Sequence, residues 1–223
     1  QAERAVASMR AHAGAGVCEF DMGDIYPGVE ELAGAFLRQH FGEGAGRGSV
    51  KLLTKFVPDK KLLGSIDAAY VRRVVQRSCN RLGVDCVDRV QLHWWDYEAE
   101  GKPSLAIRER EKSSWRSLQE EIERVQVVRE TVGDDIDICL DYHGRSFSAA
   151  DAIRLARAIE PFHPFFLEEP ALTENPDALV DVKRQTTIPV AGGERVIHRD
   201  VFKEVIEKRA VDIIQLEPTG CGG

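Results

Sequence analysis

The clearest alternation of apolar and polar positions runs from Ile136 to Asp141, where Ile136, Ile138 and Leu140 are separated by Asp137 and Cys139. A period of two is that of a strand. Continued through Tyr142, the alternation carries Asp141 and His143 to one face at the strand's C-terminal end, just before Gly144 breaks it. Two later apolar runs also stop at a carboxylate: Phe165-Phe166-Leu167-Glu168 and Ile188-Pro189-Val190-Ala191-Gly192-Gly193-Glu194. Asp141 to Glu168 is 27 residues and Glu168 to Glu194 is 26, the length of one strand and one helix. In a parallel barrel such units carry successive strand ends round the same rim. The spacing therefore predicts that Asp141, Glu168 and Glu194 converge.

The rest of the chain keeps the same rhythm. An alanine-rich helix over Ala2 to His12 precedes a strand from Val17 to Met22, and a helix with Leu32, Phe36 and Leu37 on its apolar face ends at Gly42. The glycine-rich stretch after it lies before a strand rather than between a strand and a helix, so it reads as a flexible loop and not a phosphate cradle. Val50 to Val57 is the next strand, and Ser65 is a candidate cap for a helix carrying Val71, Val74, Val75 and Leu82. Val87 to Trp94 is the third strand. Apolar positions from Trp115 to Val132 recur in steps of three and four, a helix closed by Gly133. Beyond the central strand, Ser148 with Asp151 and Asn175 with Pro176 open two more helices. A last helix over Asp200 to Lys208 leads to a strand over Val211 to Leu216. Seven strands alternating with helices define an α/β class with a parallel, TIM-barrel-like sheet. Eight strands complete such a barrel, so this one is expected to be incomplete.

Composition narrows the functional classes. With 223 residues and 43% hydrophobic content the chain can bury one good core. A net charge of -7 argues against nucleic acid as a partner. No apolar run reaches the length of a membrane span, and no signal-peptide pattern opens the chain. The five cysteines, an odd set with no C-x-x-C spacing, suggest neither a disulfide framework nor a zinc site, and fit a reducing cytoplasm. Three carboxylates select a hard cation, with magnesium the one expected, and an imidazole beside one of them suits proton transfer. A solvated strand end is the plainer reading of Asp141 and His143 taken alone.

DICLDYHGR, FFLEEP, IPVAGGER and DIIQLEPTGCGG, in that order from about Ile122 to the C-terminus, resemble the barrel of the enolase superfamily. The likeness is to the mandelate racemase branch and, within it, to galactonate-type sugar-acid dehydratases. It implies Asp141, Glu168 and Glu194 as magnesium ligands and His143 as an acid/base histidine. Glu169 is then a salt-bridge partner, because the family motif puts the ligand first. The family's second histidine comes from the strand after the last one here, oriented by an aspartate at the position of Glu217. The resemblance therefore implies a chain that binds magnesium but turns over sugar acids near background.

FDMGDIY, VEELAG, LLTKF and VQLHWWDY, over about Ala5 to Tyr97, resemble a different family, the aldo-keto reductases. That likeness puts a catalytic tetrad on Asp21, Tyr26, Lys55 and His93. An ammonium beside a tyrosine lowers its pKa and makes it a usable proton donor to a carbonyl, while an aspartate holds the ammonium in place. Pro27-Gly28 departs from the glycine that usually follows the tyrosine. Nothing matches the late strands and loops that grip the family's nicotinamide cofactor, so NADP is expected only if this half is functional, and no NADPH-dependent reduction of simple aldehydes is expected.

The two likenesses meet at a charged stretch without apolar period, giving a reductase-like part over 1–97, a junction over 98–121 and an enolase-like part over 122–223. Both parent barrels carry their chemistry at strand C-terminal ends, so the join preserves the fold logic. Three readings stand: a magnesium-dependent lyase acting on a small acid, a carbonyl reductase, and a non-catalytic product of fusion. Both ends of the chain look cut inside the repeat. An incomplete sheet leaves open edges that favour a homo-oligomer or aggregation over a robust monomer.

Overall fold

The computed structural model describes every residue except 1, 43–46, 59–65, 94–114, 145, 147, 218–219 and 222–223. The chain divides into two compact units, Gln1–Leu92 with Glu130–Asp137, and His93–Arg129 with Ile138–Gly223. The glycine-rich stretch at 43–46, the charged junction up to residue 114, Ser65 and the last two glycines lie outside the described residues.

In the first unit helices α1 (Ala2–Gly14), α2 (Val29–Phe41) and α3 (Ala68–Leu82) alternate with strands β1 (Glu19–Asp21), β2 (Lys51–Phe56) and β3 (Arg89–His93), whose last residue, His93, belongs to the second unit. The strands are parallel in the order β1-β2-β3, with Asp21 opposite Leu53 and Lys55 opposite Gln91. The first strand is shorter than its apolar run suggests. Helix α3 starts at an observed cap, Asp67, whose carboxylate accepts the Tyr70 N–H at 2.7 Å. Its buried face of Val71, Val74 and Leu82 matches the predicted period. Gly34 faces the end of this helix, where a β-carbon would stand 2.7 Å from the Leu82 carbonyl oxygen, so the close approach of α2 and α3 requires glycine.

Two buried charges tie the first unit together. Glu30, 1% exposed in the first turn of α2, accepts the Thr54 hydroxyl at 2.6 Å and the Arg81 guanidinium at 3.0 Å. At the N-terminal ends of the strands, Arg89 donates to Glu19 at 2.7 Å and to Asp137 at 3.1 Å. Each pair satisfies charges that burial would otherwise penalise by several kcal/mol.

The second unit carries β4 up to Asp141 (Asp137–Asp141), then α5 (Ala149–Ile159), β5 (Phe166–Glu168), α6 (Pro176–Lys183), β6 (Val190–Gly192), α7 (Arg199–Glu207) and β7 (Ile213–Ile214). The strands run parallel in chain order. The predicted caps are observed: Ser148 accepts the Asp151 N–H and Asn175 the Ala178 N–H, with Pro176 at the first helical position. Ala152, Leu179, Val182, Val190 and Val205 form the layer between helices and strands. Among the described residues β7 pairs with β6 alone, and its residue Ile214 is half exposed. The fold class is therefore that expected: seven parallel strands among the described residues, alternating with helices, an incomplete TIM-barrel-like α/β fold. Helix α4 (Trp115–Val132) follows β3 and precedes β4 in the chain, so strands and helices alternate.

Candidate functional site

Strand β4 ends at Asp141 rather than running on to His143. His143 and Gly144 both take left-handed backbone angles, φ +53° and +63°. A non-glycine residue there costs about 1 kcal/mol and needs outside support. Asp141 itself supplies part of that support, its Oδ1 accepting the His143 backbone N–H at 3.0 Å in an Asx-type turn. The turn is fixed to the neighbouring strand by Tyr142 N–H to Glu168 O at 3.0 Å and Gly144 N–H to Glu169 O at 2.8 Å. Asp141 and His143 do lie together, but a turn and not a strand pleat brings them there.

Asp141 is 3% exposed and is the centre of a cluster with one buried and one half-buried histidine. His93, itself 3% exposed at the end of β3, brings Nδ1 into hydrogen-bond contact with Asp141 Oδ2. His143 Nδ1 stands 3.7 Å from Oδ1, and the two imidazoles meet edge to face at 5.7 Å. Burial would raise the Asp141 pKa, but hydrogen bonding and charge from His143 and His93 outweigh it and hold the carboxyl well below the usual range. The same carboxylate raises the His143 pKa against the opposing effect of burial.

Glu168 is Asp141's register partner on β5 and is equally buried. Ala191 is the residue opposite Glu168 on β6, so Glu194 falls three positions past that level, exposed in the turn that follows. Equal spacing in sequence thus does not give equal height on the rim. The three carboxylates suit a hard cation in kind. Among the described residues, however, no three His, Cys, Asp or Glu side chains stand close enough together to hold a metal ion. As they stand, they do not fit a preformed magnesium centre, and Asp141 is engaged by the two histidines instead.

Glu169, fully buried at φ +41°, is ion-paired to Arg195. Burial, opposed by Arg195, raises its pKa. Arg195 also packs over Gly144, where a β-carbon would come within 1.8 Å of its Nη2. The sequence pointed to Glu169 as a salt-bridge partner but gave no sign of Arg195's second contact beyond the glycine itself.

In the first unit Lys55 is ion-paired to Asp21 and donates to Gln91 Oε1 at 2.8 Å. The Tyr26 ring lies over Gly23, 2.9 Å from where a β-carbon would be, and the Lys55 stem is 3.5 Å from the same point. Three residues of the predicted tetrad therefore gather beside Gly23. The fourth, His93, directs its Nδ1 to Asp141. Gln91 was missed in the sequence, although it shares a strand face with His93 at a spacing of two.

Titratable groups at the C-terminal ends of parallel strands are the arrangement of (β/α) barrel enzymes as a class. Within that class the chain belongs to two families: residues 70–223 match the enolase C-terminal domain-like family and residues 1–133 the aldo/keto reductase family. A D-galactonate dehydratase from Ralstonia nicotianae is 38% identical over 110 residues, 49% of this chain and 28% of that protein. A D-galactonate dehydratase from Klebsiella pneumoniae is 39% identical over the same shares. The chain thus spans under a third of the length of these curated relatives. Among solved structures, a mandelate racemase/muconate lactonizing enzyme-like protein from Rubrobacter xylanophilus is 36% identical with a TM-score of 0.56, covering 69% of this chain and 37% of that one. An enolase from Bradyrhizobium, complexed with magnesium and mandelic acid, shares the fold at 20% identity and a TM-score of 0.57, over 77% of this chain and 39% of that one. The composite origin expected from the sequence is what these matches describe. No helix among the described residues is long and apolar enough to cross a membrane.

Proposed function

We propose that the second unit carries a magnesium-binding, sugar-acid dehydratase-type site, with Asp141, Glu168 and Glu194 as the ligands and a galactonate-like acid as substrate. The observation that carries this reading is the buried, register-matched pair Asp141 and Glu168 at adjacent strand ends, with an imidazole on the turn beside them. The D-galactonate dehydratases among the relatives supply the substrate class.

In this reading neutral His143 takes the proton from the carbon next to the substrate carboxylate. The electron pair left behind forms a carbon-carbon double bond as the neighbouring hydroxyl, protonated by a general acid, departs as water. Ketonisation of the resulting enol gives the 2-keto acid. Asp141 holds the His143 turn in place through its backbone N–H and favours the protonated imidazole once the proton has been taken.

The test titrates magnesium calorimetrically and assays galactonate and related acids for 2-keto product in one preparation. Magnesium binding with product formation lost in His143→Asn supports the reading. No magnesium binding, or turnover indifferent to His143, refutes it.

A second reading, an NADP-dependent carbonyl reductase, is favoured by the Asp21–Lys55 pair with the Tyr26 ring beside it. NADPH quenching of protein fluorescence and aldehyde reduction that vanishes in Tyr26→Phe distinguish it from the first.

A further inference from the structure

Away from the strand C-terminal ends, the first unit holds a cleft of about 860 Å³ beside α3. Its other wall is formed by the residues just before β3 and by the segment that joins the end of α4 to β4. Cavities of roughly 300–1,000 Å³ are those that enclose small organic ligands. Much of the lining is apolar: Val87 is buried, while Val75, Val132 and Ile136 are each only partly covered.

Four arginines of α3 line the same cleft. Two are committed within the fold, Arg77 donating to Asp24 at 2.7 Å and Arg81 to Glu30 at 3.0 Å. The other two are not. Arg72 forms no ion pair among the described residues. Arg73 forms none either; its guanidinium stands 5.6 Å over the Tyr70 ring, a contact that orients the group without using its N–H donors. Asp85 is the acidic residue of the lining, so the uncommitted groups leave a single net positive charge.

We propose that this cleft binds an amphiphilic organic anion, a molecule with one carboxylate on an apolar body, of which a medium-chain fatty acid is the simplest form. Arg72 and Arg73 hold the head, and Val75, Val132 and Ile136 take the body. A planar guanidinium meets a carboxylate through two parallel N–H donors, so the head is fixed in orientation as well as in charge. The apolar body leaves water for side chains that the fold itself does not cover. The chain's net charge of -7 repels anions at long range, so selection rests on the local pair and weakens with salt. None of these residues belongs to the dehydratase or the reductase set, and the site is independent of both readings.

The test titrates decanoate, kept below its micellar range, into the full chain by calorimetry, with decanol as the uncharged counterpart. The same titration is made on the double variant Arg72→Glu/Arg73→Glu, whose exposed helix positions accept glutamate as readily as arginine. Cys86 gives a second readout, because it lines the cleft and is exposed, whereas Cys18 is exposed outside it. Alkylation of both by iodoacetamide is followed by peptide mass with and without decanoate. Saturable binding of one decanoate, weaker by roughly tenfold or more in the double variant and for decanol, with Cys86 protected and Cys18 not, is the expected result. The protection arm needs no variant, so it decides the matter if the double variant fails to fold. No saturable binding, Cys86 alkylation unchanged by decanoate, or equal affinity in wild type and variant overturns the proposal. Decanol binding as tightly as decanoate overturns it too, since the arginines would then select nothing.

Discussion

Replacing Arg195 with Met removes the guanidinium that pairs with a fully buried carboxylate and packs over Gly144, while keeping most of the aliphatic stem. Breaking a buried ion pair by deleting one partner costs about 3–5 kcal/mol when the remaining charge has no escape. Glu169 does have one: it can be protonated. Relative to an unfolded chain in which the carboxyl titrates at about 4.5, folding with a protonated Glu169 costs about 1.4 kcal/mol per pH unit above that value. The electrostatic loss is therefore limited to about 3 kcal/mol at pH 7 and to about 1 kcal/mol at pH 5.5. The sign follows from burial, which already raises the Glu169 pKa in the native protein. Loss of Arg195 raises it further, so the folded variant binds the extra proton and its deficit grows as pH rises above the native value. Urea unfolding of wild type, Arg195→Met and the Glu169→Gln/Arg195→Met double variant at pH 5.5 and 7 measures this. The single variant should lose more at pH 7, and the double variant should show no added slope. A loss independent of pH, or one well above 3 kcal/mol at pH 7 that Glu169→Gln does not relieve, would refute the reasoning.

Thr54→Val deletes one donor to buried Glu30 without changing shape, and should destabilise the protein by about 2 kcal/mol in urea unfolding, because a charged oxygen is left unsatisfied. Glu168→Gln should weaken magnesium binding at least tenfold by calorimetry, since it removes one charge from the proposed ligand set. In metal-free buffer the Asp141 cluster should contribute most to stability between about pH 4 and 6.5. Asp141's share is present above its unfolded pKa and disappears as pH falls through its depressed folded value; His143's share is complete below its unfolded pKa and disappears as pH rises through its raised folded value. The stability difference between wild type and Asp141→Asn, followed across pH, should therefore peak in that window.

The parts of the fold governed by local chemistry were legible in the sequence. Ser148 and Asn175 cap the helices they precede, the period of α3 matches its buried face, and Asp141 and Glu168 end adjacent strands. What was not legible depends on groups distant in sequence. Alternation through Tyr142 pointed to a longer strand, yet the Asx turn at Asp141 and the left-handed His143 end it early. Glu194 looked equivalent to Glu168 by spacing, but strand register puts Ala191 at that level. His93 read as a member of one family's tetrad, and only the fold brings its ring to the carboxylate of the other family's motif. No local pattern encodes such a meeting.

The central claim, that the turn after β4 carries a base for carbon acids, is tested most directly by proton exchange. Galactonate is incubated with the protein in deuterium oxide with magnesium, and loss of the proton next to the carboxylate is followed by NMR together with any product. Exchange at that carbon, or dehydration at a matching rate, that falls at least 100-fold in His143→Asn is the predicted result. A proton that neither exchanges nor is lost to product in wild type, or that exchanges equally fast in the variant, would contradict it.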